Sequence, residues 1–299
     1  MATSNPIVSG ITGYVENHRS ELLSKSMLDG KSRRAFNLMT DVKGPTTLNI
    51  MDTNVVFGEL GCGWNEKGST EFSQRTLTPR GLEVNLAFCE KNLLKTWAQY
   101  EVKVAAGLET LPFEEKWTSQ ILASVNEQIE KMLYTGDSTN TGATEFDGIV
   151  TILAAESDAI KVNATAGTAV YAFLKAVAAA IPPKVKEPVI LIGTPLYRQF
   201  MQELVAANLF HYDPANGENE YRLPGTDIRV IAVDGLNDTR YAIAANMNNL
   251  YYGVSADEDS DTFDLWYSKD NREFRLAINF IAGTQVAFPD EVVLGTLAQ

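Results

Sequence analysis

Apolar residues recur at every fourth position through one long stretch: Phe113, Trp117, Ile121, Val125, Ile129, then Met132 or Leu133. That spacing lines one face of a helix and predicts a helix over 112–134. Pro112 suits a first turn, Glu114 and Glu115 fall near the positive end of the helix dipole, and Gly136 and Gly142 end it. Such a helix is a rod of roughly 33 Å, apolar on one side, and something must cover that side. Taken alone, it reads equally well as a core helix of any large domain.

The pattern elsewhere is of other kinds. Residues 1–40 are polar and poorly periodic, an arm with a possible short helix at 20–26 and an ambiguous stretch at 28–36. Residues 41–88 read as a long β-hairpin. Its strands are 46–56 and 73–88, with Leu82, Val84, Leu86 and Phe88 alternating with polar residues, and its glycine-rich tip is GELGCGWNEKGSTEF. A lone hairpin is marginal in water, so this one needs a partner. Residues 89–107 read as a helix carrying Leu93, Leu94, Trp97, Tyr100 and Val104 on one side. After Gly148 the elements alternate: a helix at 166–181, a buried strand at 188–192, a helix at 195–207 capped by Thr194, and short strands at 228–233, 241–245 and 250–253. The tail, 262–294, returns to long strands with a turn at Lys269–Arg272, suited to covering the long helix.

The expected class is therefore α+β, with an α/β unit at 148–255 inserted between two parts of another domain, 89–147 and 256–299. The spine-helix residues Trp117, Ile121, Val125 and Ile129 are expected in the core. The hairpin-tip residues Trp64, Lys67 and Phe72 are expected at contacts between chains.

Composition narrows the function. The 299 residues are 45% hydrophobic and 21% charged, ordinary for a globular chain. The net charge of −13 falls wholly on 112–299, which hold 13 basic and 26 acidic side chains; residues 1–111 hold 12 of each. Phosphate-binding proteins cluster Lys and Arg, and Lys31, Arg33 and Arg34 form only a modest cluster. Met1–Gly10 has neither a basic start nor an apolar run, so no secretory signal is expected. The longest apolar candidate for a membrane span, 166–181, is interrupted by Lys175 and stopped by Pro182–Pro183.

The search for chemistry ends without a site. His18 and His211 belong to no spaced ligand set, and Cys62 and Cys89 lack C-x-x-C spacing. Asp29–Ser32 (DGKS) ends like a phosphate loop, but Lys25 stands where glycine is required. Asp257, Asp259 and Asp261 match the first calcium-loop positions, yet Thr262 and Ser268 replace the required glycine and glutamate. Cys62 lies between glycines without an evident base. No catalytic residue, cofactor or metal is expected.

With chemistry set aside, the order of parts carries a resemblance. IEKMLYTGDSTNTGATEFDGIV (129–150), EPVILIGTPLYRQFMQEL (187–204) with the later LPGTDIRVIAVDGL, and FRLAINFIAGTQVAFPDEVV (274–293) are similar to stretches of the major capsid proteins of tailed bacteriophages. Encapsulin shells share that fold. The resemblance spans about residues 41 to 294. It implies an N-terminal arm (1–40), an extended loop (41–88), a peripheral domain with a spine helix, and an axial domain.

It also implies self-assembly as hexamers and pentamers into an icosahedral head around double-stranded DNA that is not bound by sequence. The location would be the virion, with assembly in the host cytoplasm. Portal, scaffold and decoration proteins would be partners, with no membrane. The acidity of 112–299 would keep the inner wall from gripping phosphates. Residues 1–40 are too short for a cleaved scaffold domain, so a separately encoded scaffold or none is expected. Lys67 is the candidate for a lysine–asparagine cross-link. Two alternatives stand beside this reading: an encapsulin-like shell holding enzyme cargo, and an α/β enzyme built on residues 149–255.

Overall fold

We describe a computed structural model of the chain. It describes residues 14–19, 21–22, 25, 31–60, 67–89, 96, 99–100, 102, 113–140, 144–210, 220–255 and 262–298. Most of the expected helix at 89–107 and most of the one at 20–26 lie outside these. So do Gly61–Gly63 with Cys62, Trp64, His211 and the run Asp257–Asp261.

The helices are α1 (Lys31–Ala35), α2 (Phe113–Thr135), α3 (Ile149–Ala155), α4 (Val170–Ala179) and α5 (Thr194–Ala206). The strands are β1 (Asn37–Met39), β2 (Thr46–Asn54), β3 (Ser69–Leu77), β4 (Arg80–Cys89), β5 (Ile160–Ala164), β6 (Val189–Gly193), β7 (Glu220–Arg222), β8 (Arg229–Val233), β9 (Tyr241–Ala245), β10 (Leu250–Val254), β11 (Thr262–Ser268), β12 (Glu273–Val286) and β13 (Val293–Leu297).

They form three sheets. The first is built on β12, which pairs antiparallel with β4 along one edge and with β11 and then β10 along the other; β1 joins β10 in parallel. The second runs β5-β13-β9-β6-β8-β7. The third is the two-stranded hairpin β2-β3.

The second sheet is covered on both faces, which explains the continuous apolar run of β6. Ile190 and Ile192 pack with Phe173, Leu174 and Val177 of α4 and Leu196, Phe200 and Leu204 of α5. Val189 and Leu191 face the larger core, which also takes Val125, Ile129 and Leu133 of α2, Ile149 and Leu153 of α3, and Leu276, Ile278 and Phe280 of β12. The Glu203 carboxylate of α5 accepts the amides of Val170 (3.0 Å) and Tyr171 (2.7 Å), capping α4 from a neighbouring helix.

Four sequence expectations change. The strand expected over 73–88 is two strands, broken at Thr78–Pro79. Proline donates no ladder hydrogen bond, and beyond it β4 leaves the hairpin to pair with β12 over ten residues. The strand at 250–253, expected in the α/β unit, belongs to the first sheet. The last strand, β13, leaves the first sheet and lies between β5 and β9 of the second, so the tail closes both. Thr194 is the first residue of α5, not its cap, and its amide donates to Asn237 Oδ1 at 2.8 Å. The turn between β11 and β12 falls where expected, with Arg272 at φ 53°.

Candidate inter-subunit surface

The hairpin places apolar side chains in solvent. In its lower half Leu48 and Ile50 are buried; beyond them no described side chain is. Met51 lies opposite Phe72 in the ladder, and both are exposed, Phe72 at 78%. Val55, Val56, Phe57 (93% exposed) and Leu60 continue the run past the end of β2. Isolated apolar surface residues need no explanation; this many on one projecting ribbon make a candidate interaction surface. Lys67 is exposed, and its stem runs over Gly58. Phe72 thus lies on the ribbon's exposed surface, Lys67 beside its tip, and Trp64 outside the described residues.

A groove of about 830 Å³ runs between α2 and β4. Trp117, Ile121, Val125 and Ile129 line it from the helix, Val84, Leu86 and Phe88 from the strand, and Phe280 from β12. Phe88 and Trp117 meet edge to face at 5.2 Å and 72°, a favoured aromatic geometry. Val125 and Ile129 are buried, whereas Trp117 and Ile121 are only half-buried. All four spine residues thus line the groove, two of them buried in the core and two half-buried against it. The stripe meets β4 across the groove and shares its core with Leu276, Ile278 and Phe280 of the returning β12. Among the described strands β4 pairs only with β12, so its other edge is open beside the groove.

Sequence reading missed a buried polar knot. Arg33 of α1 is buried; its Nη2 donates to Asn126 Oδ1 (2.9 Å), and its Nε lies 3.8 Å from Glu130 Oε2. Tyr134 donates to Ser32 Oγ at 2.7 Å. Burial pushes the Glu130 carboxyl up, while Ser32 hydrogen bonds and the Arg33 charge draw it back down. Burial also pushes the Tyr252 phenol up to about 12, opposed by the charge and hydrogen bond of Arg33. The knot pins α1 against α2 and β10. Its only sequence signal was the pairing of Ser32 and Arg33 with an apolar Phe36, which does not say what they face. It links Arg33 and Ser32 of α1 to Asn126, Glu130 and Tyr134 of α2, and so fastens the two helices. Among the described residues no three His, Cys, Asp or Glu side chains converge to hold a metal, and no helix is long and apolar enough to cross a membrane.

No family model matches the sequence, and no curated protein matches it either. Solved structures do match. A structure from satellite phage P4, its procapsid including the size determination (Sid) protein, is 11% identical with a TM-score of 0.62, and the match covers 93% of this chain and 90% of that one. The chain has the fold of phage capsid structures. A structure of Gordonia phage Cozz (14% identical, TM-score 0.59, 90% of this chain and 86% of the other) and the capsid of a native GTA particle (10%, 0.56, 92% and 91%) agree. At these identities the likeness is one of fold, and it runs almost end to end.

Proposed function

We propose that this chain is a structural, non-enzymatic shell subunit that self-associates as hexamers and pentamers into an icosahedral head enclosing double-stranded DNA, placing it in the virion. The observation that carries this is the conjunction of a capsid-type fold over about nine-tenths of the chain with a hairpin whose apolar side chains have no partner within the described chain. In this reading β2-β3 is the extended loop, reaching over the neighbouring subunit with Phe72, Lys67 and Trp64 at the contact. The first sheet with α2 is the peripheral domain, and the second sheet with α4 and α5 is the axial domain. Residues 1–40 are the arm, tied down at Ser32 and Arg33. Ring-closing, head-to-tail contacts of this kind explain why a ribbon without its own core persists, since obligate interfaces are large and apolar.

Negative-stain microscopy of the purified protein tests the proposal. Closed shells or capsomer rings are expected. A monodisperse monomer at every protein and salt concentration overturns it. Nuclease-resistant DNA inside shells purified from a phage-producing host is the expected sign of genome enclosure, and enzyme cargo in its place would overturn that part alone.

A further inference from the structure

The hairpin has a definite foot. Its two ends enter the body side by side, at Val42 and Leu77, both fully buried. They press on two glycines that face each other across the first sheet, Gly253 of β10 and Gly283 of β12. A Cβ at Gly253 would lie 3.0 Å from both Leu77 methyl carbons and 3.2 Å from Val42 Cγ2. A Cβ at Gly283 would lie 2.9 Å from Pro79 Cα and 3.2 Å from Leu77 Cδ2. The paired glycines thus leave a slot in the sheet surface, and the hairpin ends fill it. Around the slot are three further ties. Arg75 of β3 forms an ion pair with Glu156 at the end of α3, both largely shielded. Gln285 Nε2 donates to Thr76 O at 2.7 Å, and the Val42 amide donates to Val254 O at 3.2 Å.

We infer that the hairpin stands on a built pivot: Leu77 and Val42 are seated in the Gly253–Gly283 slot, and the Arg75–Glu156 pair holds the elevation, so that the direction of the hairpin is set within the subunit before any partner touches it. The slot fixes position, because the Leu77 and Val42 side chains fill it over Gly253 and the Thr78–Pro79 backbone closes it over Gly283. The ion pair fixes tilt, because it ties the ribbon to a different element, α3, to one side of the slot. The consequence for assembly rests on the shell reading: a ribbon with a preset direction presents its apolar face at one angle to the next subunit, and that angle enters the curvature of a closed shell. The pivot itself is a property of the single chain.

Its leverage can be estimated. Relieving a 2.9 Å contact to an ordinary 3.4 Å moves the foot by roughly 0.5 Å. Over a lever of about 5 Å that is a tilt of about 6°, and at the far end of a nine-residue ribbon, about 30 Å long, a displacement of about 3 Å.

Cys89 ends β4 in the body and is exposed, and Thr53, near the far end of β2 opposite Thr70, is exposed. Spin labels on Cys89 and on Thr53→Cys, in a Cys62→Ser background, report the hairpin-to-body distance by pulsed dipolar spectroscopy on the unassembled subunit. The otherwise wild-type chain is expected to give one narrow distribution. Glu156→Gln, which keeps the side chain's shape, is expected to move the melt little and to broaden the distribution at least twofold. Arg75→Glu combined with Glu156→Arg is expected to narrow it again. Gly283→Ala is expected to shift the mean by about 3 Å. A broad distribution in the wild type, or a narrow unshifted one in both Glu156→Gln and Gly283→Ala, overturns the pivot. Because these readings are made on subunits, they stand whether or not shells form. If shells do form, Glu156→Gln is expected to spread their diameters while the subunit stays folded.

Discussion

The second sheet and the hairpin are both β-structure, yet they are held in opposite ways. In the sheet, β6 reads Val-Ile-Leu-Ile-Gly and every residue is buried. One face meets α4 and α5 and the other meets the larger core, so the chain supplies every partner. In the hairpin, β2 and β3 pair over nine residues, yet Met51, Phe57 and Phe72 face solvent. Ladder pairing holds both, on two sides for β6 and on one side for each hairpin strand, and burial differs most. Ladder pairing contributes little net stability because water competes for the same groups, whereas burial of apolar surface is the dominant favourable term. A region that is paired but uncovered is therefore not stabilised by its own chain. It is kept for what it meets.

Substitutions that separate folding from assembly can break or sharpen that contrast. The largest effect is expected in the covered sheet. Phe173 is fully buried among Val177, Phe200 and Ile190. Phe173→Ala is expected to cost about 3–5 kcal/mol, read as a lowered denaturant midpoint, and to yield insoluble protein at 37 °C. A loss under about 1 kcal/mol would mean this core is not the stabilising one. Next comes Asn249, which joins the two sheets' connections. It donates Nδ2 to Phe288 O (2.8 Å) and accepts the Phe288 amide on Oδ1 (2.7 Å). Asn249→Ala leaves a buried carbonyl and amide unpaired and is expected to cost about 2–3 kcal/mol.

The sequence showed the covered region better than the uncovered one, for a physical reason. Periodicity reports burial, so α2, α4, α5, β6 and β8 were legible within a few residues. It does not report which sheet a strand joins. β4 alternates in the same way whether it pairs with β3 or with β12, and only the proline at 79 marks the change. β10 and β13 are too short to state their neighbours. The short α3 and β5 carry too few turns to stand out. At the candidate surface, the tip was legible as glycine-rich and lacking a core. The groove was not, because it exists only between two elements that residues 90–112 separate in the chain. The Arg33–Glu130 knot was hidden for the same reason: each half looks like an ordinary surface charge.

That knot gives a smaller, pH-dependent expectation. The groups facing Glu130 are Ser32 and Arg33 from α1, and Asp234 from the 3-10 turn before Asn237. Because burial raises its carboxyl, the native state binds a proton more readily than the unfolded chain. Stability from this group therefore rises as pH falls from neutral through the raised value, and levels off below the ordinary carboxylate range. Glu130→Gln is expected to flatten that slope, measured as denaturant midpoints from pH 7 to pH 4. An unchanged slope would place the titration elsewhere.

The smallest effect on folding belongs to the hairpin, and it is the one on which the contrast turns. Phe72→Ser removes an exposed ring from the ribbon's surface. The subunit loses no buried contact, so its melting curve is expected to move by no more than about 0.5 kcal/mol. Assembly is expected to fail or to need several-fold more protein, because an apolar anchor at an interface contributes energy only when covered. Paired measurement of subunit melting and of the concentration at which shells appear separates the two. If Phe72→Ser unfolded the subunit as Phe173→Ala does, the hairpin would be part of the core. If it changed neither folding nor assembly, the partner would lie on the Val55–Leu60 side of the ribbon, where Phe57→Ser is the corresponding change.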